Sequence, residues 1–268
     1  MMIGRLLLAL SLVVTALPRP AEAFNAAEIA CRKALAANVL KLASTTLKEA
    51  TKCHRARMAG DPAVSPTADC NDVTQLPQKS LAKITKIEQK LAILADAKCT
   101  APGVTPAALG YVACTAPCDT IDILGFSGLN SVASCLACQT RSAVGLALQS
   151  TYGTYPDPPI FDPSSFAQSC QRSIGKELQR QQSTRMKDQQ KCQYLKDKGT
   201  APTTGATDCR TADLKGKVLK AETKVEGALA KVCTSQMLAT QLTSCGTTVA
   251  DERTCPVSYT HLRAHETK

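Results

Sequence analysis

The strongest constraint on this chain is that it uses one cysteine spacing twice. From Cys31 the next cysteines fall at Cys53 and Cys70, and from Cys170 at Cys192 and Cys209, so both triplets read C-x21-C-x16-C. Other positions follow the same offset. Ser44 and Thr45 return as Ser183 and Thr184, Lys48 and Lys52 as Lys187 and Lys191, Gly60 as Gly199, and Asp69 as Asp208. A repeat of this kind means that one structural unit is built twice.

Within the first unit, hydrophobic periodicity predicts a helix over Ala26 to Met58. Leu35, Val39, Leu42, Ala43, Leu47 and Ala50 share a face with Cys31 and Cys53, opposite Lys33, Lys41, Lys48 and Lys52. Gly60, Asp61-Pro62 and Ser65-Pro66 end it. A second helix starts at Pro77 and carries Leu81, Ile84, Ile87, Leu91 and Leu94 on one stripe as far as Cys99. The returning helix of the second unit repeats the stripe with Leu214, Val218, Ala221, Val225, Ala228 and Leu229. Its partner is poorer, with Ile174, Leu178 and Met186 set among Gln179, Gln181, Gln182, Gln189 and Gln190. The expected fold class is therefore all-α, two tandem disulfide-stapled antiparallel helical hairpins, the first with an additional Cys-rich helical segment.

Helix geometry limits the bridges. Twenty-two helical steps separate Cys31 from Cys53 by roughly 33 Å, whereas a disulfide needs Cα atoms about 4.4 to 6.8 Å apart. An antiparallel hairpin instead brings Cys53 to Cys70 and Cys31 to Cys99, and in the second unit Cys192 to Cys209 and Cys170 to Cys233. The remaining four cysteines of the first unit, Cys114, Cys118, Cys135 and Cys138, are expected as Cys114–Cys138 and Cys118–Cys135. Thr105-Pro106 is expected to open a short helix ending near Cys114, and a longer helix starts near Asn130 or Ser131 and runs through Val144, Leu146 and Leu148.

The ends of the chain carry processing signals and a foreign tail. Arg5, the apolar run Leu6 to Leu17 and Ala21-Glu22-Ala23 form a secretory signal with an A-x-A cleavage site. The apolar run is too short to span a bilayer. Pro256 to Lys268 reads as the in-frame translation of a sequencing-library adapter, and the protein is expected to continue past Cys255 with two further cysteines. The expected layout is a signal peptide at 1–23, repeat one at 24–151, a Pro-rich linker at 152–163, repeat two at 164–255 and the adapter-like tail at 256–268. The pairing of Cys245 and Cys255 stays open. The expected location is secreted or periplasmic, where 14 cysteines mean disulfides. With no tryptophan and 3% aromatic residues, the core rests on small aliphatics and cross-links compensate.

Few residues suggest chemistry. Cys114-x3-Cys118 and Cys135-x2-Cys138 approach a zinc spacing, but one knuckle has an extra residue and export favours oxidised sulfur. Cys135-Leu136-Ala137-Cys138 lacks the βαβ context of a redox motif and the following histidine of a haem site, since residue 139 is Gln. No cofactor and no metal are expected. His261 and His265 lie in the tail, which leaves His54, expected as a solvent-exposed residue at a helix end where repeat two has Gln193. Asp69 and Asp208 read as turn residues before bridged cysteines, a catalytic carboxylate being the distant alternative. No G-x-S-x-G, H-E-x-x-H, P-loop or calcium-loop pattern occurs, so no catalytic residue is assigned.

Without the signal and tail residues Arg5, Arg19, Glu22, Arg263, Glu266 and Lys268, 28 basic and 20 acidic residues leave a net charge of +8. Such a balance favours anionic surroundings weakly. The basic run Arg172, Lys176, Arg180, Arg185, Lys187 and Lys191 has no interleaved aromatics, so nucleic acid is not an expected partner. Cys170-Gln171-Arg172-Ser173-Ile174-Gly175-Lys176, the repeated spacing, the Gly199 loop and the Lys-rich return helix together resemble uncharacterised secreted cysteine-rich helical-repeat proteins predicted from environmental bacterial genomes. The resemblance covers both hairpins, departs in the extra residues between Cys70 and Pro77, and implies export and repetition without an activity. The expectation is a secreted, non-enzymatic structural or interaction module. Its partner is an unknown protein or an anionic envelope polymer, with a binder of anionic polymer or lipid surface as the alternative.

Overall fold

The computed structural model describes residues 24–122, 125–153, 166–200 and 208–234. The signal segment, most of the linker, Cys245, Cys255 and the adapter-like tail lie outside the described residues. The elements described are five α-helices and one 3-10 turn, with no strand among the described residues. They are α1 (Ala26–Met58), α2 (Gln78–Lys98), α3 (Leu129–Tyr152), α4 (Phe166–Asp197) and α5 (Lys217–Leu229).

Helix α1 begins at a reciprocal cap. Asn25 Oδ1 accepts from the Glu28 backbone amide at 2.9 Å, and Glu28 Oε2 accepts from the Asn25 amide at 2.8 Å. Two otherwise unpaired amide donors of the first turn are thereby satisfied. Helix α2 returns antiparallel to it, closed at the turn by Cys53–Cys70 and at the open end by Cys31–Cys99. Leu35, Leu42, Leu47, Ile84, Ile87, Leu91 and Ala95 are buried between them.

Repeat two is built the same way from α4 and α5, with Cys192–Cys209 at the turn and Cys170–Cys233 at the open end. The correspondence reaches individual hydrogen bonds. Glu49 in α1 accepts from Ser80 Oγ at 2.9 Å, and its counterpart Asp188 in α4 accepts from the backbone amide of Leu214 at 2.9 Å. Counting back from Cys99 and Cys233, Ser80 and Leu214 are the same position. Helix α5 has only 13 residues, because Gly216 takes a left-handed φ of 62° and Leu214 precedes the helix. Asp213 caps it instead, its Oδ2 accepting from the Leu219 amide at 2.9 Å.

The two hairpins pack through their first helices, which run antiparallel. At one end Arg32 of α1 meets Asp197 of α4; at the other, Gln168 of α4 meets Met58 of α1. This arrangement gives two glutamines of α4 a structural role. Gln168 Nε2 donates to the carbonyl of Met58 at 2.6 Å and Gln171 Nε2 to that of Thr151 at 2.7 Å. Both carbonyls belong to the last turns of α1 and α3, where no helical amide remains to meet them. The polar face of α4 is thus a buried contact, and the apolar cluster left inside repeat two is small: Cys170, Ile174, Leu178, Val225, Leu229 and Cys233.

Three expectations are corrected. The Cys-rich segment bonds Cys114 to Cys135 and Cys118 to Cys138, not Cys114 to Cys138 and Cys118 to Cys135. Cys135 and Cys138 sit one turn apart on α3, and residues 114–118 run beside them in the same direction, so the first cysteine meets the first. Second, Thr105 starts no helix. Its Oγ1 accepts from the Ala108 amide at 3.1 Å, but Gly110 at φ +80° closes the chain after one turn. Third, Tyr152 belongs to α3 rather than to the linker and is fully buried.

Candidate functional site

The described cysteines are all bonded, which leaves the carboxylates, His54 and the basic side chains as candidates. Asp69 Oδ1 accepts from the Asn71 amide and Asp208 Oδ1 from the Arg210 amide, each at 2.9 Å. Both carboxylates therefore hold the turn around a bridged cysteine. Because α1 and α4 are antiparallel, the two turns lie at opposite ends of the packed pair, and the carboxylates do not converge. Arg210 also holds Asp208 through its guanidinium at 2.9 and 3.2 Å, which keeps that carboxyl below its ordinary range.

His54 is the largest departure from expectation. It is 1% exposed, stacked on Tyr152 with ring centroids 3.9 Å apart and planes 9° from parallel. Its Nε2 lies 2.9 Å from Asn71 Oδ1, while Asn71 Nδ2 donates to the Gly153 carbonyl at 2.9 Å. The amide orientation therefore makes Nε2 the protonated nitrogen of a neutral ring. Burial first, and then the charge of Arg57, push the imidazole pKa down to about 3 against a partial opposing effect of Asn71. Burial likewise raises the Tyr152 phenol. The pair ties α1 to α3, and the cleft beside Tyr152 has a volume of only about 10 Å³. Its position after a bridged cysteine gave no signal of this, since Gln193, which follows Cys192 in the same way, lines an open cleft.

The accessible chemistry lies on repeat two. A groove of about 810 Å³ separates α4 from α5, and Lys187, Lys217, Lys220 and Lys224 project into it. Lys191 and Lys215 stand close by. The ammonium of Lys215, then partial desolvation and Lys217, hold Lys191 below the ordinary lysine value, with Asp188 opposing weakly. Like charges are thus crowded together. All six lysines are exposed, and among the described residues none forms a salt bridge. The neighbouring acids are engaged elsewhere. Glu177 pairs with Arg180 at 2.8 Å, Glu222 with Arg185 at 2.6 Å, and Asp188 holds Leu214.

Along α4 the groove passes Lys187 into a second cleft of about 320 Å³ between the end of α4 and the start of α1. Ala36, Tyr111 and Tyr194 form its apolar surface, and Lys33, Lys191, Gln190 and Gln193 its polar edge. Lys33 Nζ lies 4.7 Å above the Tyr194 ring and Lys198 Nζ 5.4 Å from it. The wall is rigid. Arg32 holds Asp197 through Nε at 2.8 Å and Nη2 at 3.2 Å, and its Nη1 donates to the carbonyl of Leu109.

Of the six basic α4 residues seen in the sequence, Lys187 and Lys191 face this track. Arg180 lines the groove while paired with Glu177, and Arg185 is drawn inward to Glu222. The contribution of α5 is legible in hindsight, since Lys217, Lys220 and Lys224 at i, i+3 and i+7 share one helix face. No group of three or more metal-ligating side chains occurs among the described residues, and no helix described is long and apolar enough to cross a membrane. No family model matches the chain, and neither a curated protein nor a solved structure matches it.

Proposed function

We propose that the protein is an exported, non-catalytic interaction module that holds an anionic polymer in the lysine-lined groove between α4 and α5. The observation that carries this reading is the groove itself: exposed ammonium groups from two helices converge on one channel while the nearby carboxylates are paired or buried. Lysine suits this task, because its ammonium is a point charge on a flexible stem that follows an irregular chain without demanding a fixed geometry. Export is supported by the signal-like N-terminal sequence and by six disulfides among the described residues. The non-catalytic part is supported by Asp69 and Asp208 being used in separate turns and by a histidine sealed in the core.

The test is retention of the oxidised chain on immobilised dextran sulfate. The wild type should bind at low salt and elute as salt screens the contacts. The charge-reversed variant Lys217→Glu/Lys220→Glu/Lys224→Glu should lose retention while keeping its helical circular dichroism. Retention unchanged by that variant would place the binding elsewhere.

A further inference from the structure

Resting on that reading, we propose that the cleft beside Tyr194 is a sugar-binding subsite and that the polymer is an acidic polysaccharide, one of whose rings stacks on Tyr194. The argument begins with continuity. Lys187 lines both the groove and the cleft, so a chain lying along α4 between the lysines is led directly to Tyr194. Arg180, Lys187, Lys191 and Tyr194 fall at i, i+7, i+11 and i+14, one face of the helix over about 21 Å.

The cleft differs from the groove in chemistry. The groove offers charge; the cleft adds an aromatic face, an apolar floor and two side-chain amides. At about 320 Å³ it lies at the small end of ligand pockets, which suits one ring and its substituents. A pyranose presents apolar C–H groups on its faces and hydroxyls around its edge. The C–H face matches Tyr194. The hydroxyls match Gln190 and the amide oxygen of Gln193, whose Nε2 is already committed to Asp197 at 2.8 Å. A ring carboxylate matches Lys191 at the edge and Lys33, whose ammonium lies 4.7 Å over the tyrosine ring on a flexible stem and swings from the ring to the carboxylate as the sugar face takes its place. Arg32 is excluded from this role because Asp197 neutralises it.

Polyphosphate has charge for the lysines but no face for the tyrosine. Single-stranded nucleic acid stacks successive bases on successive aromatics, and this track gathers its two aromatics, Tyr111 and Tyr194, in one cleft at its end with none spaced along the groove. An acidic polysaccharide uses both parts of the surface.

The experiment is titration of the oxidised chain with oligogalacturonate, inorganic polyphosphate and oligothymidylate of matched charge, at about 0.05 M and about 0.5 M salt. Tyr194→Ala is expected to weaken oligogalacturonate about tenfold and to change polyphosphate less than about twofold, with Tyr194→Phe restoring the sugar affinity. The charge-reversed groove variant should weaken all three ligands. Equal loss for all ligands in Tyr194→Ala, or no loss for the sugar, would overturn the subsite while leaving the groove reading intact. Tighter binding of polyphosphate or oligothymidylate than of the uronate, independent of Tyr194, would overturn the polysaccharide assignment alone. Failure of the wild type to bind any of the three would overturn the groove reading and the subsite together.

Discussion

The imidazole of His54 stacks on the phenol ring of Tyr152 at 3.9 Å, joining the C-terminal ends of α1 and α3 within the core. Tyr152 in turn reaches Gly175 in α4. A Cβ built on that glycine would lie 1.8 Å from the tyrosine hydroxyl and 2.7 Å from Cζ. Three helices from two repeats therefore meet through one aromatic pair, and the absence of a side chain at residue 175 is what lets α4 approach.

Acid should loosen this junction. The folded pKa of His54, about 3, is below its ordinary value of 6.5, so the unfolded chain binds the proton first. The stability it supports is complete above about pH 6.5 and falls as pH drops toward about 3. His54→Gln, copying Gln193 of repeat two, should flatten the decline of melting temperature between about pH 6.5 and 4.5. A decline as steep as in the wild type would show that other groups cause it.

Glu49 should dominate the lower part of the profile. Burial alone would raise its pKa, but hydrogen bonds from Lys52, Lys83 and Ser80 together lower it to about 2 from 4.5. Its contribution is present above about pH 4.5 and is lost as pH falls toward 2. Glu49→Gln should cost about 1–3 kcal/mol at neutral pH and little at pH 2.5, read by urea denaturation at both values.

Gly175→Ala should destabilise the packing of repeat two on repeat one by about 1–3 kcal/mol. Tyr152→Phe in the same chain should recover only part of the loss, because the ring carbon stays within 2.7 Å of the added methyl. The measurement is a double-mutant cycle by thermal denaturation. Simple additivity would mean that the two residues do not touch.

The disulfides should differ in weight. Cys170–Cys233 closes a separation of 63 residues around a six-residue apolar cluster, and loop entropy assigns such a closure about 4 kcal/mol. Replacing both by serine should unfold α5 while the larger core of repeat one survives. Hydrogen exchange would show this as lost protection confined to 217–229. Non-reducing peptide mapping should find Cys114–Cys135 and Cys118–Cys138, the two pairings that spacing did not indicate.

The all-α class, the duplication and the antiparallel hairpins are legible along the chain, since they follow from local rules: helix rise, breaker residues and the reach of a disulfide. The helix from Ala26 to Met58 is legible from its stripe and from the glycine and prolines after it. The rest depends on contacts between segments far apart in the chain. Gln168 and Gln171 gain their role only when α4 lies against the carbonyl ends of α1 and α3. His54 looks like a surface residue until Tyr152, 98 positions later, covers it. Tyr194 and Lys33 become one cleft only because α1 and α4 pack antiparallel. Periodicity tells which face of a helix is buried; it does not tell which other helix buries it, because that choice is made by the summed packing and polar satisfaction of the whole chain.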